Sequence, residues 1–370
     1  MTGLEVRVDY GAIRHNVEVL KGLAGGAGVM AVVKADAYGH GLVETARAAR
    51  EGGASWLGVA QPGEALALRA SDDAGPILTW LYGPEVPAAA LVGEGVDLSV
   101  GSLPVLASVV AGADQAGRPA RVHVGVDTGL GREGCTLDDL PRLLDAVRAE
   151  VDRGAVETVG IWSHFAWADA PGHPVIDAQA REFERALTLA AERGIAFEVK
   201  HLANSAAALT RPDLRYDLIR PGIALYGLPP VPDPAGKNWG LVPAMSVTTT
   251  LAMVKRVPAG RGVSYGHEYT TPRETVLGLV PVGYADGVFR SAAGRAEVAI
   301  RGHRYRIVGR VCMDQFVVDL GPDTAVKEGD PVTLIGEGGP TAGDWAAAAG
   351  TIDYEIVCRF GMLRPKTGDV

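Results

Sequence analysis

The sequence predicts an α/β protein with an N-terminal (β/α)8 TIM barrel followed by a mainly β C-terminal domain. Strand-like and helix-like segments alternate eight times between residues 29 and 226. A stretch with four prolines, residues 229–240, then ends the alternation. Glycine-punctuated, β-rich segments follow it, as in antiparallel barrels and sandwiches. An open doubly wound sheet is the alternative for the first part of the chain.

The prediction of a barrel rests on eight predicted strands. The first, "VMAVVK", is a short apolar run rich in β-branched residues, which is typical of a strand buried in a parallel sheet. Helical patterns lie between most of the strands; in one of them Phe183, Leu187 and Ala190 recur at helical spacing before Gly194. The predicted strands are 29–34, 56–60, 76–80, 97–100, 121–126, 158–163, 197–202 and 216–220.

Composition excludes several classes of partner. The net charge of −9 argues against nucleic acid and anionic membrane surfaces. The N-terminus shows no signal-peptide pattern, and no apolar run approaches membrane-spanning length. The cysteines, Cys135, Cys312 and Cys358, are far apart and form neither a metal-ligand pair nor a disulfide framework. We therefore expect a protein of the reducing cytoplasm, long enough at 370 residues for two domains.

Polar and glycine residues cluster at the predicted carboxyl ends of the barrel strands, which is where active sites of this fold lie. Any one of these positions has a structural explanation, but five loops agree. The residues are Lys34, Arg132, His164, Asn204, Ser205, Arg220 and Gly222.

Lys34 ends the first predicted strand and admits two interpretations. Its side chain could snorkel or pair with Asp36, because buried lysines are rare unless they are paired. Alternatively, it is a catalytic amine whose pKa falls on desolvation and which forms a Schiff base with a carbonyl cofactor.

The loops after the seventh and eighth strands favour the catalytic interpretation of the lysine. Ser205 fits either a helix N-cap or a ligand of an anion at the helix N-terminus. Gly222 and Ile223 offer backbone N–H groups, and phosphate sites in these barrels use the same two loops. A lysine that faces a phosphate cradle in a barrel is what pyridoxal phosphate requires.

The segment "VDTGLGREG" contains Gly129, Gly131 and Gly134 in a GxGxxG pattern. A dinucleotide site would need a helix that opens at the third glycine, whereas "CTLDDLP" follows here. We therefore expect the glycines to shape a tight loop that aims Arg132, because a guanidinium is suited to bind a carboxylate bidentately.

The remaining polar positions each have a structural and a functional interpretation. His164 fits a satisfied polar group or a member of the site, and the histidine spacing predicts no metal. In the β domain, Tyr265 and Tyr284 precede glycines and fit turns. Met313 and Asp314 lie inside a predicted strand, which indicates a site or an interface.

Together these segments resemble the bacterial alanine racemases, in order and over nearly the whole chain. The resemblance implies a pyridoxal-phosphate-dependent racemase of fold-type III that interconverts L- and D-alanine for peptidoglycan synthesis. It implies a head-to-tail homodimer with shared active sites. It also implies an N-terminal strand within 1–10 that packs with the C-terminal domain, a cofactor-binding barrel at 11–232 and a β domain at 241–370 that supplies a second base. The motifs are "VVKADAYGHG", "DTGLGREG", "SHFAWAD", "LANSAA", "IRPGIALYG", "VSYGHEY", "GYADG", "CMDQ" and "TIDYEIV".

Carried over to matching positions, the resemblance implies a role for each site residue. Lys34 would hold the cofactor and act as one base, and Tyr265 of the partner subunit would be the other. Arg220 would face the pyridine nitrogen, with His164 beside the ring. The remaining roles are cofactor binding, chiefly of the phosphate, by Tyr38, Asn204, Ser205, Gly222, Ile223 and Tyr354, and substrate binding by Arg132, Met313, Tyr284 and Asp314.

One position departs from the family pattern. The family usually has a lysine, carbamylated and directed at the substrate-binding arginine, two residues before the aspartate of "DTG", where this chain has Gly125. We predict that another anion, a chloride, a bicarbonate or a neighbouring carboxylate, fills the space near Arg132. Alanine and serine both stay open as substrates, and His267 has no assigned role.

Two alternative functions belong to the same fold. A pyridoxal-phosphate-dependent basic amino acid decarboxylase resembles this chain in its barrel and β domain, but the chain has no GGG phosphate loop and no reactive cysteine followed by acidic residues. A racemase-like protein with an altered substrate or low activity, or a non-catalytic homologue, is the other alternative, because of Gly125.

Overall fold

The structure is a computed structural model that describes residues 3–362 and 366–369. The described chain divides into two compact units. The predicted domain bounds of 1–10, 11–232 and 241–370 stay predictions, and residues 1, 2, 363–365 and 370 within them lie outside the described residues. The barrel unit comprises Gly11–Ala37 and Leu42–Val242, and the β unit comprises the chain up to Tyr10, the segment Tyr38–Gly41 and the chain from Pro243 onward.

Strands and helices alternate in the first two thirds of the chain, and strands dominate the rest. The strands are β1 (Glu5–Asp9), β2 (Gly28–Val32), β3 (Trp56–Val59), β4 (Ile77–Thr79), β5 (Asp97–Val100), β6 (Ala120–Asp127), β7 (Cys135–Thr136), β8 (Val156–Trp162), β9 (Val199–His201), β10 (Leu218–Ile219), β11 (Met245–Thr250), β12 (Met253–Val257), β13 (Gly262–Val263), β14 (Tyr269–Thr270), β15 (Thr275–Val280), β16 (Glu297–Ile300), β17 (His303–Val308), β18 (Phe316–Gly321), β19 (Pro331–Ile335) and β20 (Lys366–Asp369). The helices are α1 (Tyr10–Leu23), α2 (Lys34–Gly39), α3 (Leu42–Glu51), α4 (Pro62–Ala70), α5 (Ala88–Gly93), α6 (Leu103–Ala116), α7 (Leu140–Arg153), α8 (Pro174–Glu192), α9 (Ser205–Thr210), α10 (Ala342–Ala349) and α11 (Asp353–Met362).

The barrel unit contains a sheet of parallel strands in the order β10-β2-β3-β4-β5-β6-β8-β9. A parallel bridge between Asn204 and Arg220 joins the chain beyond β9 to the chain beyond β10 and so closes the barrel. Each predicted strand is present, and the predicted fold class is confirmed. Apolar side chains make up part of the buried core, where Met30, Leu78 and Leu218 form one cluster, and polar side chains, among them His123 and His201, are buried as well.

The β unit contains a mixed sheet in the order β12-β15-β18-β17-β16-β19-β11-β1-β20. The N-terminal strand β1 lies inside this sheet, antiparallel to β11 and parallel to β20. The predicted strand through Met313 is wrong, because β17 ends at Val308 and β18 begins at Phe316. Gly309, with φ of 70°, bends the chain out of the strand, and it lies so close to the carbonyl of Val263 that a Cβ would be 2.6 Å from that oxygen.

A buried asparagine fastens α1 to the end of the barrel chain. Asn16 is fully buried, and its Nδ2 donates to the carbonyls of Leu225 at 3.0 Å and Val242 at 2.8 Å. Its Oδ1 accepts from the backbone N–H of Val242 at 2.8 Å. One side chain therefore satisfies three backbone groups that have no place in the barrel sheet.

Replacing Asn16 with alanine is expected to lower the free energy of unfolding by about 2 kcal/mol or more, because it leaves several buried backbone groups without partners. Urea denaturation at one fixed protein concentration measures the change. Glu18→Ala on the exposed side of the same helix is the control and should have little effect. Equal effects of the two substitutions would contradict the anchoring role of Asn16.

Candidate active site

The chain makes a left-handed turn directly after β2, and Lys34 begins it. Ala35, Asp36, Ala37 and Tyr38 all have φ between 51° and 55°. This conformation costs roughly 1–2 kcal/mol per residue for side chains other than glycine, so it persists only where the surroundings hold it.

Two carboxylates of the barrel unit stabilise this turn, one from Glu64 and one from Asp36 within the turn itself. Oε1 of Glu64 accepts the backbone N–H of Ala35 at 2.6 Å, and Oδ1 of Asp36 accepts that of Leu42 at 2.8 Å. The other oxygen of Glu64 accepts two N–H groups at the start of α4. The base of Lys34 is therefore tied to the loop that follows the next barrel strand.

Lys34 and Arg220 lie over a pair of tryptophans at the carboxyl ends of the strands. The Nζ atom of Lys34 is 5.9 Å from the ring centroid of Trp80, and Cζ of Arg220 is 5.1 Å from that of Trp162. The two indole rings are 6.0 Å apart. Gly58 makes room for Trp80, because a Cβ at Gly58 would lie 2.9 Å from the ring.

A chain of buried polar side chains runs from Arg220 into the barrel. Nη1 of Arg220 lies 3.1 Å from Nδ1 of His201. Nε2 of His201 lies 2.8 Å from Nδ1 of His123, and Nε2 of His123 lies 3.3 Å from Asp97. Asp97 also accepts from Arg121 at 2.7 Å and from the indole N–H of Trp56 at 3.0 Å.

The hydrogen bonds of this chain run in one direction. A guanidinium only donates and an ionised carboxylate only accepts, so His201 and His123 each accept at Nδ1 and donate from Nε2. Burial, and then the charge of Arg220, hold the pKa of His201 well below its usual range. Burial alone would raise the pKa of Asp97, but its hydrogen bonds and electrostatic interactions with His123 and Arg121 hold that pKa below its usual range, so the carboxyl is ionised.

Arg220 connects the same chain to His164. Its Nη2 lies 3.3 Å from Nδ1 of His164 and donates to the carbonyl of Ser163 at 2.6 Å. Burial lowers the pKa of Arg220 to about 9. Burial lowers the pKa of His164 as well, and the charges of Arg220, Arg132 and Lys34 lower it further. His164 is therefore a neutral imidazole that accepts at Nδ1 and carries its proton on Nε2.

The two loops predicted to bind phosphate lie together, but the residue that caps the helix after the first loop is not the predicted one. Asn204 is the N-cap of α9, because its Oδ1 accepts from the backbone N–H of Ala207 at 3.1 Å. Ser205 instead binds the eighth loop, where its hydroxyl accepts from the N–H groups of Gly222 at 2.8 Å and Ala224 at 3.3 Å. The N-cap interpretation of Ser205 is wrong, and the hydroxyl and the N–H groups lie together at one place.

The GxGxxG segment forms a tight loop between β6 and β7, as predicted. Oδ1 of Asp127 accepts the N–H groups of three successive residues, 129 to 131. A Cβ at Gly134 would lie 2.6 Å from the nitrogen of Asp127, so only glycine allows this return of the chain. The loop presents Arg132, whose guanidinium binds the carboxylate of Glu133.

In the β unit, the predicted residues of three separate motifs share one loop cluster. The N–H of Tyr284 donates to the carbonyl of Cys312 at 3.0 Å, and the N–H of residue 285 donates to that of Met313 at 2.9 Å. The hydroxyl of Ser264 donates to the carbonyl of residue 310 at 2.7 Å, which brings the next residue, Tyr265, to the same loop. Tyr265 is 71% and Met313 54% exposed, and Asp314 is exposed beside them.

Tyr38 and Tyr354 also lie together in the β unit, with ring centroids 6.0 Å apart. Burial, followed by the neighbouring Tyr354 and Cys358, raises the pKa of Tyr38. Its hydroxyl therefore stays protonated. His267 is exposed, and its ring lies beside Gly262, where a Cβ would be 2.4 Å from the ring.

Sequence reasoning missed the buried part of the site. His123 and His201 are polar residues inside barrel strands that are otherwise apolar, and inward-facing positions alternate along such strands. That signal was present in "RVHVGVD" and "VKHLAN". Trp80, Trp162 and Asp97 gave no comparable signal, because aromatic residues and strand-end carboxylates are common in structural positions.

The described part of the chain contains neither a metal-binding cluster nor a membrane-spanning helix. Residues 3–362 and 366–369 contain no group of three or more histidine, cysteine or acidic side chains placed to hold a metal ion. Over the same residues, no helix is both long and apolar enough to cross a membrane.

Comparison with known proteins gives one consistent family. Residues 8–230 match the profile of the family described as "Alanine racemase, N-terminal domain", and residues 244–367 that of "Alanine racemase, C-terminal domain". The chain is 53% identical over 365 residues to a protein of Frankia casuarinae named alanine racemase, which covers 97% of this chain and 94% of that one. A protein of the same name from Salinispora tropica is 52% identical over 363 residues, covering 97% and 96%.

Solved structures agree over the full length. The crystal structure of alanine racemase from D-cycloserine-producing Streptomyces lavendulae superposes with a TM-score of 0.96 at 48% identity, covering 100% of this chain and 98% of that one. Alanine racemase from Streptomyces coelicolor gives a TM-score of 0.95 at 49% identity, covering 99% and 97%.

The buried His201 makes the stability of the protein depend on pH. Its pKa is lower in the folded than in the unfolded chain, so the unfolded chain takes up the proton first as the pH falls. Stability from this residue is present above the unfolded pKa of about 6.5 and is lost below it, by about 2 kcal/mol at most between pH 6.5 and pH 5.

Substituting His201 with glutamine should remove this part of the pH dependence, as measured by urea denaturation at pH 7 and pH 5. His303→Gln, at an exposed position of β17, is the control and should retain the wild-type difference. If His201→Gln also retains it, the imidazole of His201 is not held neutral.

Proposed function

Because the chain belongs to the alanine racemase family, we propose that it interconverts L- and D-alanine with pyridoxal phosphate as cofactor, and so supplies D-alanine for peptidoglycan synthesis. The observation that carries the proposal is the arrangement of Lys34, His164 and Arg220 at the carboxyl ends of the barrel strands, backed by the buried chain to Asp97.

The barrel unit offers groups whose chemistry fits this cofactor. The amine of Lys34 suits its aldehyde. The O–H of Ser205 and the backbone N–H of Ile223 suit a phosphate, because they are neutral donors at one place, where Ser205 also accepts the N–H of Gly222 and so fixes that loop. Pyridoxal phosphate, when bound, supplies a ring that takes up the electrons left at Cα after its proton is removed.

Arg220 is assigned to the pyridine nitrogen. A guanidinium donates hydrogen bonds and accepts none, and its positive charge disfavours a second positive charge beside it. His201 occupies one of its nitrogens and the Ser163 carbonyl another, so the group is fixed in orientation. Arg220 would thus keep the ring nitrogen unprotonated and limit how strongly electrons are withdrawn, which favours simple return of the proton.

Racemisation needs proton removal from one face of Cα and proton return to the other. We assign these tasks to the amine of Lys34 and to the hydroxyl of Tyr265 of the partner subunit. A tyrosine has an ordinary pKa of about 10 and needs a neighbour that stabilises its ionised form to act as a base. The Nε2–H of His164 is such a donor, because Nδ1 is already used by Arg220.

The other assignments belong to the same proposal. Arg132 and the backbone of Met313 would bind the substrate carboxylate, with Tyr284 and Asp314 at the entrance. Exposure of Tyr265 and Met313 in the single chain supports their contribution to a second chain in a homodimer. The residues assigned to cofactor binding, besides Lys34, His164 and Arg220, are Tyr38, Asn204, Ser205, Gly222, Ile223 and Tyr354.

We also propose that the protein acts in the cytoplasm. None of its three cysteines forms a disulfide within the described residues, which suits a reducing compartment. The decarboxylase alternative has no support in the comparisons, where the relatives cited above carry the racemase name.

The proposed activity is tested by incubating purified protein and pyridoxal phosphate with a panel of L-amino acids, including alanine, serine, lysine and ornithine. Chiral chromatography should show D-alanine, with no carbon dioxide from lysine or ornithine. Borohydride treatment should attach the cofactor permanently to the peptide that contains Lys34, and Lys34→Ala should abolish both results. Release of carbon dioxide, or attachment to a different lysine, would refute the assignment.

Sharing of the active site is tested by mixing Lys34→Ala chains with Tyr265→Ala chains, each expected to be inactive alone. A hybrid dimer with shared sites has one intact site and one doubly defective site. Purified hybrids should therefore show about half the activity of the wild-type dimer if the sites are independent. If both bases came from one chain, every site in the hybrid would lack one of them, and no activity would return.

A further inference from the structure

Arg132 is held by the carboxylate of the residue that follows it. Nε of Arg132 donates to Oε2 of Glu133, and Nη2 donates to Oε1 at 2.6 Å. A guanidinium carries five N–H donors in a planar fork, and this contact uses the side formed by Nε and Nη2. It leaves the edge formed by Nη1 and Nη2 for a second bidentate carboxylate.

Glu133 is turned inward while Arg132 extends toward solvent. The side chain of Glu133 is 22% exposed, against 56% for Arg132. Glu133 lines a small cavity together with Gly125, Trp162 and His164. Position 125 has no side chain, and a Cβ there would already lie 3.2 Å from Nε1 of Trp162. Asp127, at the end of β6, also lines this cavity, but its Oδ1 already accepts three backbone N–H groups of the loop. The carboxylate that binds Arg132 is that of Glu133, from the glycine loop.

The pair lies in a region rich in positive charge. The charges of Arg220, Arg132 and Lys34 all act on His164, in addition to the larger effect of burial. On Arg220, burial has the largest effect, and Glu133 opposes it. A carboxylate at this place offsets the mutual repulsion of the cations, which would otherwise favour a guanidinium turned out into water.

We propose that Glu133 positions Arg132 to bind the carboxylate of the substrate. This inference rests on the proposed function and identifies the anion near Gly125 as the neighbouring carboxylate. Bidentate contact fixes both the plane of the guanidinium and the direction of its remaining edge. Without it, a half-exposed arginine on a loop samples several rotamers, and substrate binding has to order the side chain at the same time.

A competing interpretation makes the opposite prediction. If Glu133 merely occupied Arg132 and had to be displaced by substrate, removing its charge would strengthen carboxylate binding. If the pair were an ordinary exposed ion pair, removing the charge would change nothing, because such pairs contribute little. The three cases therefore predict different changes in one quantity on removal of the Glu133 charge: the dissociation constant of a carboxylate ligand rises, falls or stays the same.

The test compares Glu133→Gln with wild type, both as holoenzyme. KM for L-alanine and for D-alanine should rise about tenfold, with kcat changed much less, because a charge-assisted bidentate contact is lost. Glu133→Asp keeps the charge and should recover most of the affinity. Glu182→Gln is the matched control, because Glu182 pairs with Arg185 at 2.7 Å on α8 at the barrel surface, and it should behave as wild type.

Propionate binding gives a measurement that needs no turnover. Propionate has the carboxylate and carbon skeleton of alanine without the amino group, and calorimetry measures its dissociation constant. That constant should rise about tenfold in Glu133→Gln and stay unchanged in Glu182→Gln, with equal melting temperatures. If wild type shows no racemase activity, the proposed function fails while this comparison still decides the role of Glu133.

Three outcomes would overturn the positioning role. An unchanged propionate constant in Glu133→Gln would make the contact an ordinary surface pair. A lower constant would make Glu133 a competitor of the substrate. Failure of wild type to bind propionate at all would mean that the Arg132–Glu133 pair presents no carboxylate site.

Discussion

A positive charge buried inside the barrel is the constraint on which the rest of the site depends. Arg220 is only 5% exposed, and removing a charge from water costs several kcal/mol unless partners compensate. The compensation comes from carbonyl oxygens and from a line of two neutral imidazoles that ends at the ionised Asp97. From Arg220 through His201 and His123 to Asp97, each N–H donates to one acceptor, and this fixes the orientation of the Arg220 guanidinium. The protonation of His164 and the electronic character assigned to the cofactor ring both follow from it.

A second electrostatic cost arises at the mouth of the barrel, where several positive charges lie close together, and the loops offset it. Lys34, Arg132 and Arg220 all act on one imidazole, and crowded cations repel one another strongly where water is sparse. Glu133 brings a negative charge to the same region from a loop that three glycines and Asp127 hold in place. The orientation of the guanidinium assigned to substrate binding thus depends on its immediate neighbour in the chain. The left-handed turn that begins at Lys34 is also stabilised from another segment. The residues of the turn disfavour this backbone conformation, and Glu64 stabilises it by accepting a hydrogen bond from Ala35.

Much of this arrangement could be predicted because the signals are local or periodic. Strand-length apolar runs separated by helical patterns predicted the parallel barrel, and the proline-rich stretch predicted where the pattern changes. Residues at the ends of strands, such as Lys34, His164 and Arg220, were identifiable because parallel strands bring their carboxyl ends to one face. The errors came where a local signal had two outcomes. Ser205 is not the helix cap, because Asn204 takes that position, and the Met313 segment leaves the strand because Gly309 bends it.

By itself, the sequence determined the fold class, the order of the elements and the residue types available at the barrel mouth, because periodicity, turn chemistry and strand-end placement are properties of short segments. Only the tertiary structure decided which side chains meet. The contact between His201 and His123 joins residues 78 positions apart, and the orientation of Glu133 toward the cavity beside Gly125 depends on how a loop returns to its own strand. Hydrogen-bond direction, burial and the sign of each pKa shift depend on the distances between segments that are remote in the sequence. No local sequence pattern contains those distances.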